Sequence, residues 1–271
     1  DYVNKNRFPG VVLGLSGGID SAISAAVAVD ALGADRVRAV MMPSPYTSIE
    51  SLEDAAECAQ LLGIRYENIG IGPAMEAFAG MLAPAFGNRP PDITEENLQS
   101  RIRGVTLMAL SNKFGDMLLT TGNKSEMATG YCTLYGDMAG GFAVIKDVVK
   151  TMVFRLAHWR NANDPFGRGL NPIPERIITR PPSAELRPDQ TDQDSLPAYE
   201  VLDDILERFM ENDESPAHIV QSGHSPADVE KVTRLIRINE YKRRQSPVGI
   251  RVTHRSFGKD WRYPITNRFR E

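Results

Sequence analysis

The stretch VVLGLSGGIDSAISAAVAV, residues 11–29, decides the fold of this chain. Residues 11–15 are apolar and rich in β-branched side chains, which predicts a buried strand, and the alanine-rich run after Asp20 has helical composition. The strand leads into the helix through a six-residue loop, Ser16, Gly17, Gly18, Ile19, Asp20 and Ser21. Because the first turn of a helix leaves N–H groups unpaired at the positive end of its dipole, this loop is suited to binding an anion.

The residue types in the loop favour a phosphate as that anion. Glycines allow the backbone to approach closely, Ser16 and Ser21 add hydroxyl donors, and Asp20 can hold a cation that bridges to phosphate. Tight packing alone also explains a bare strand-glycine-helix turn. The Walker pattern, with its terminal lysine, is absent from the sequence. The complete string resembles the pyrophosphate loop of ATP pyrophosphatases, which cleave ATP between its α and β phosphates.

Composition narrows the class of protein. The chain has 271 residues, of which 42% are hydrophobic, and this favours a single α/β domain. Its formal net charge of −4 argues against a nucleic-acid partner. The only two cysteines, Cys58 and Cys132, are far apart, which fits a reducing compartment and argues against a zinc site. No signal peptide and no run of about 18 apolar residues is present, so we expect a cytoplasmic protein without a membrane partner.

Hydrophobic patterning predicts alternating strands and helices along the first 160 residues. After the first unit, the pattern predicts strands at residues 37–42, 65–69 and 116–121. It predicts helices at residues 48–62, 73–82, 94–114, 148–159, 196–210 and 225–239, with Thr94 as the N-cap of the third. This order indicates an open, mostly parallel, Rossmann-like sheet with helices on both faces. Because ligands gather at the carboxyl ends of such strands, residues 16–21 and 121–126 should share one rim.

We expect one domain over residues 1–271 with three parts. Residues 1–160 form the nucleotide-binding α/β core, and residues 197–271 form C-terminal helices and a tail. Residues 161–196 are rich in proline, glycine and charge. Their composition fits a solvated linker, and loops of this length inside compact domains are also often lids. Both interpretations stay open from the composition alone.

A second group of polar residues lies in TTGNKSEMATGYCTLYGDMAGG, residues 120–141. Glu126 and Asp137 are two carboxylates in predicted loops near the same rim, and magnesium prefers a few carboxylates together with phosphate oxygens. The alternative is that Glu126 caps a helix and Asp137 closes a turn.

Taken together, SGGIDS, TGNKSEMATGY and YGD resemble the NAD synthetase family. The resemblance continues through Lys150, through PPSAEL with Ser183, and through DSLPAYEVLDDIL, so it covers nearly the whole chain. It implies an adenine nucleotide alpha hydrolase-like fold and a ligase that amidates nicotinic acid adenine dinucleotide (deamido-NAD) to NAD. The implied reaction consumes ATP and ammonia and passes through an adenylated carboxylate, with AMP and pyrophosphate as products. Magnesium is the implied metal.

The resemblance also implies roles for individual residues. The implied ATP-binding residues are Gly14, Leu15, Ser16, Gly17, Gly18, Ile19, Asp20, Ser21, Thr121, Lys150 and Ser183. The implied deamido-NAD contacts are Arg101, Glu126, Tyr131 and Lys242. The implied magnesium ligands are Asp20, Glu126 and Asp137. Asp20, Lys150 and Ser183 are the implied catalytic residues, with Lys150 supplying the cation that the first loop lacks. The four histidines are predicted to be surface or core residues.

Two features favour the glutamine-dependent branch of that family. The segment MMPSPYTS and the tail FGKDWRYPITNRF resemble it, whereas Leu134 replaces the lysine that the ammonia-dependent branch usually carries before the YGD tyrosine. The family resemblance implies a homodimer. We expect its ammonia to be free or to come from a glutaminase domain or subunit, with no glutaminase domain in this sequence. The alternatives are a GMP synthetase-like amidotransferase or thiolase and a nucleotide-binding module without catalysis.

Overall fold

The computed structural model describes residues 1–258 and 260–266 and contains a five-stranded parallel sheet. Its strands are β1 Val11–Gly14, β2 Val37–Met41, β3 Arg65–Asn68, β4 Met117–Thr120 and β5 Phe142–Ala143. The spatial order is β3-β2-β1-β4-β5, and each neighbouring pair is parallel. The chain therefore reverses its direction of growth across the sheet between β1 and β4. Such a switch point opens a crevice at the carboxyl ends of the two strands.

Helices cover both faces of this sheet, as the sequence predicts. Their bounds are α1 Tyr2–Lys5, α2 Ile19–Leu32, α3 Ile49–Leu62, α4 Gly72–Phe86, α5 Ile93–Phe114, α6 Lys124–Thr129, α7 Lys150–Ala162 and α8 Glu175–Thr179. Val11 and Leu13 of β1 pack into one apolar cluster with α2, α3, α7 and α8. Val12, between them, packs into a second cluster with residues of α4 and α5. This alternation is the two-residue period of a strand buried on both faces.

The C-terminal third forms its own apolar cluster beside the sheet. It contains α9 Tyr199–Leu206, a π-helical turn Glu207–Glu211, α10 Pro216–Gln221, α11 Pro226–Ile238 and α12 Glu240–Arg243. Met127 and Ala128 of α6 and Phe257 of the tail are buried in the same cluster. Lys259 and the residues after 266, which belong to the predicted tail motif, lie outside the described residues. Helix α6 therefore joins the sheet to the C-terminal helices.

Several predicted boundaries were wrong. Helix α5 is capped by Asp92, whose side chain accepts from the N–H of Thr94, and not by Thr94. Helix α4 continues to Phe86 although Pro84 lies inside it. The predicted loop after β4 contains the short elements α6 and β5. Within the part of the chain that the structure describes, no helix combines the length and apolar character needed to cross a membrane.

Candidate active site

The loop after β1 has the conformation that its glycines allow. Gly17 has a φ of 79°, and a Cβ atom there would lie 2.4 Å from the carbonyl oxygen of Ser51 in α3. Gly18 is the N-cap of α2 and accepts a hydrogen bond from the Ser21 hydroxyl at 2.9 Å. That hydroxyl also accepts from the N–H of Ser16 at 3.1 Å. Gly17 thus lets the loop pack directly on the start of α3, and Ser21 holds the loop in a fixed shape.

Helix α6 forms the other side of the rim. Asn123 is its N-cap and forms a capping box with Glu126, in which each side chain accepts from the backbone N–H of the other. The amide of Asn123 also donates to Asp20 Oδ1 at 2.9 Å. The loops after β1 and β4, about 100 positions apart in sequence, are therefore joined by one side chain. The capping interpretation of Glu126 is correct, and it does not prevent Glu126 from facing the rim.

Lys150 lies at the centre of this rim. It is the first residue of α7, its side chain is 2% exposed, and its ammonium forms an ion pair with Asp20 and lies 3.8 Å from Glu126 Oε1. Burial by itself lowers the pKa of Lys150, but the charges of Asp20 and Glu126 outweigh it, and the pKa is raised above its ordinary value. The lysine therefore stays protonated and brings a permanent positive charge to the strand ends.

The pKa of Glu126 is also raised, which favours its neutral form. Burial raises the pKa of Glu126 well above its ordinary value, and the neighbouring carboxylate of Asp20 raises it further. Lys150 only partly opposes this shift. A raised pKa favours the neutral form of Glu126, so the charges of Lys150 and Asp20 balance each other, and a further cation bound here would favour the ionised form of Glu126.

Asp137 lies in a different environment from Asp20 and Glu126. Its carboxylate accepts from the N–H of Thr133 at 2.7 Å, and burial raises its pKa to about 6. This is the turn-closing arrangement. Among the described residues, no group of three or more His, Cys, Asp or Glu side chains could hold a metal ion by itself.

The predicted lid segment contacts the loop after β1. The guanidinium of Arg180 donates to the carbonyl of Gly17 at 3.3 Å and to the Ser51 hydroxyl at 2.7 Å. The carboxylate of Glu185 accepts from the Ser51 hydroxyl at 2.7 Å. Ser183 is exposed and donates to the carbonyl of Gln190. Arg180 and Glu185 therefore hold this segment on α3 beside the glycines, while Ser183 makes its bond within the segment.

The residues predicted to contact the dinucleotide lie near one another, around the segment of residues 130–134. Arg101 of α5 donates to the carbonyl of Leu134 at 3.2 Å, and Lys242 of α12 donates to the carbonyls of Gly130 and Cys132. Tyr131 is half-buried, and burial together with Asp192 raises its pKa. Thr121 directly follows β4 and is also half-buried. Arg101 and Lys242 thus brace the segment of residues 130–134 that carries Tyr131.

Sequence reasoning missed several residues that hold the rim together. Ser125 accepts from the N–H of Lys150 at 2.9 Å and donates to Asp203 of α9. Asp192 accepts from the Tyr199 hydroxyl at 2.7 Å, and the Tyr199 ring lies 5.3 Å from the Lys150 ammonium. The pattern Asn-x-x-Glu in NKSE is a capping-box signature and could have revealed α6. No short pattern could have revealed the contacts of Ser125, because Lys150 and Asp203 are 25 and 78 positions away in sequence.

An open parallel sheet with an anion-suited loop and a buried lysine at its switch point defines an α/β nucleotide-binding protein. The chain belongs to the NAD synthase family, whose model matches residues 1–246. It is 58% identical over 272 residues to the glutamine-dependent NAD(+) synthetase of Acinetobacter baylyi, covering 100% of this chain and 49% of that protein. It is 57% identical over 271 residues to the enzyme of that name from Thermotoga maritima, covering 100% and 46%.

A solved structure shows the same relationship. Glutamine-dependent NAD+ synthetase from Acinetobacter baumannii in complex with ADP matches with a TM-score of 0.64 at 54% identity, over 98% of this chain and 47% of that one. The chain thus spans about half the length of the curated relatives it matches.

Proposed function

We propose that the residues of this candidate active site catalyse the ATP-dependent amidation of deamido-NAD to NAD, with release of AMP and pyrophosphate. The family and the high identity to named synthetases support this reaction. The observation that carries the proposal is the convergence of Lys150, Asp20 and Glu126 at the switch point. A module that only binds a nucleotide would not need a buried cation between two acids beside the phosphate loop.

The reaction follows from the chemistry of a carboxylate. The anion is a poor electrophile and hydroxide a poor leaving group, so ammonia cannot displace it directly. Transfer of AMP to the nicotinate carboxylate gives a mixed anhydride, which ammonia attacks with loss of AMP. The N–H groups at the start of α2 and the ammonium of Lys150 would stabilise charge on the departing pyrophosphate. Residues 14–21, Thr121, Lys150 and Ser183 remain our candidates for holding ATP.

Magnesium fits the charges at this rim. Asp20 and Glu126 offer carboxyl oxygens, and a cation bound between them would favour the ionised form of Glu126, whose pKa is raised. Magnesium bound there with the phosphates would neutralise charge on the pyrophosphate. Asp137, also a predicted ligand, is expected to contribute less because backbone N–H groups occupy its carboxylate.

We assign the segment 161–196 to a lid and the residues around Tyr131 to the dinucleotide side. The bonds of Arg180 and Glu185 to the start of α3 support a lid that lies over the phosphate loop. Covering the loop excludes water, which would otherwise hydrolyse the adenylate. Arg101, Glu126, Tyr131 and Lys242 remain the proposed substrate contacts. The contacts of Arg101, Lys242 and Glu126 with the segment of residues 130–134 support this assignment.

We also propose a homodimer, formed through α4 and α5. Helix α4 has no buried residue although it is rich in alanine, methionine and phenylalanine. Met81 in α4 is 71% exposed, and Val105 in α5 is 68% exposed. Large exposed apolar surfaces of this kind mark protein interfaces.

The direct test is to incubate the protein with ATP, magnesium, deamido-NAD and ammonium. We expect NAD and AMP in equal amounts, measured by chromatography. ADP in place of AMP would exclude cleavage between the α and β phosphates. Consumption of xanthosine monophosphate or tRNA would favour another amidotransferase or thiolase, and nucleotide binding without any product would favour the non-catalytic module.

The nitrogen source is decided by the same assay with glutamine in place of ammonium. The named relatives are glutamine-dependent and twice as long, so we propose that ammonia reaches this site either from solution or from a glutaminase domain or subunit. Activity with ammonium but not with glutamine would assign only the synthetase half of the reaction to these residues.

A further inference from the structure

Lys124 is a buried cation that the proposed reaction leaves without a role. Its side chain is 2% exposed, and its ammonium lies 2.8 Å from Asp147 and in a second ion pair with Glu211. The same nitrogen donates to the Thr253 hydroxyl at 2.6 Å and to the carbonyl of Arg255 at 2.8 Å. A lysine two positions before Glu126 is therefore bound to the C-terminal tail and not to the rim.

The tail, residues 247–255, supplies hydrogen-bond donors to the buried carboxylates around Lys124. One ammonium stands against the carboxylates of Asp147 and Glu211, so negative charge is in excess. Three backbone N–H groups of the tail donate to these carboxylates, from Val252, Thr253 and Arg255. Because a buried carboxylate without donors is costly, loss of the tail would disturb the position of Lys124.

The neighbours of Lys124 in α6 contact active-site residues, so they couple the position of Lys124 to the active site. Asn123 donates to Asp20, and Ser125 accepts from the N–H of Lys150. Helix α6 has only six residues, so these side chains cannot move independently of Lys124. The tail is also fixed to the sheet edge, because the carbonyl of Val248 accepts from the N–H of Ala143 in β5.

We propose that Lys124 is a positioning residue: the docked tail, residues 247–255, holds its ammonium, and Lys124 thereby fixes α6 and the Asn123–Asp20 contact. The consequence for turnover rests on the proposed function, whereas the mechanical coupling does not.

The test uses Thr253→Val, which removes the hydroxyl shared by Lys124 and Asp147 and keeps the shape of the side chain. Thr253→Ser restores the hydroxyl, and Val252→Ala is the control at an exposed tail residue. We expect Thr253→Val to speed amide hydrogen exchange in the tail and in residues 123–129, with α3 unchanged. We also expect kcat to fall roughly tenfold, because small displacements of reacting groups are costly. Both controls should keep wild-type exchange and turnover.

Faster exchange in the tail, with unchanged exchange in residues 123–129, would overturn the proposal, because the tail would then be packing only. Equal loss of protection in α3 and α6 would also overturn it, since the hydroxyl would then be a general stabiliser. A wild-type protein that makes no NAD would refute the proposed function alone, because the exchange measurement still decides the coupling.

Discussion

Several side chains at the rim each contact two partners, and the sequence alone does not show which partners those are. Asp20 and Lys150 are 130 positions apart; the residue type of Asp20 indicates a cation ligand, whereas only the family resemblance points to Lys150. Asp137 was nominated on the same grounds as Asp20, but its carboxylate accepts backbone N–H groups of its own turn. Residue type identifies an acid as a candidate ligand. Only the path of the backbone decides whether its oxygens are already occupied.

Lys150→Met tests the central cation. Methionine keeps the length of the side chain but removes the charge that would stabilise pyrophosphate, so we expect kcat to fall by about 100-fold or more. The affinity for deamido-NAD should change much less, and Lys113→Met, at an exposed position of α5, should change neither. Steady-state kinetics and equilibrium binding separate the two quantities. Equal losses of turnover and affinity would contradict the role of Lys150.

Asp137 predicts a pH dependence of stability. Its pKa is about 6 in the folded chain and near 3.8 when exposed, so the folded state binds more protons between these values. The contribution of Asp137 to the free energy of unfolding should therefore fall as pH rises from about 4 to about 6, by about 3 kcal/mol. Asp137→Asn should lose this contribution and show a shallower fall of stability, and Asp189→Asn, at an exposed aspartate, should keep the wild-type slope. Denaturant unfolding across this pH range measures the slope, and identical slopes in all three proteins would refute the expectation.

At the scale of elements, hydrophobic periodicity predicts the long segments and glycines mark the turns between them, but periodicity does not reveal the short elements. The strand-loop-helix unit at residues 11–29 and the parallel pairing of the strands follow from patterning. Helix α6 and strand β5 contain six and two residues. Such segments are too short to show a period, and their formation depends on tertiary partners such as Asp203 and the tail.

The adjacent glycines of the loop after β1, Gly17 and Gly18, should differ in their tolerance of a side chain. Gly17→Ala meets a positive φ and the Ser51 carbonyl at 2.4 Å, whereas a Cβ at Gly18 has its nearest contact at 3.4 Å. We expect Gly17→Ala to cost about 2–5 kcal/mol of unfolding free energy and Gly18→Ala less than about 1 kcal/mol. Chemical denaturation of both variants measures the difference. Equal costs would mean that the loop does not pack on α3.

At the scale of the molecule, the switch point between β1 and β4 explains why the site lies where it does. Two loops that are remote in sequence must emerge side by side, and the segment 161–196, α6 and the tail each contact one of them or its supporting residues. The sheet type and the shared rim could be predicted from the order of elements. The docking of the tail on Lys124 could not, because a lysine beside a glutamate in a predicted loop carries no sign that it is buried.

The exposed face of α4 and α5 gives a prediction for assembly. A stable dimer must bury about 1,000 Å² or more, and an apolar helix without any buried residue offers such a surface. Sedimentation of the wild-type chain at micromolar concentration should give the mass of a dimer. Met81→Glu and Val105→Glu should each shift it toward the monomer, because both place a charge in the interface. Leu170→Glu, at an exposed position between α7 and α8, should leave it dimeric. A monomeric wild-type chain, or dissociation by Leu170→Glu alone, would remove α4 and α5 as the interface.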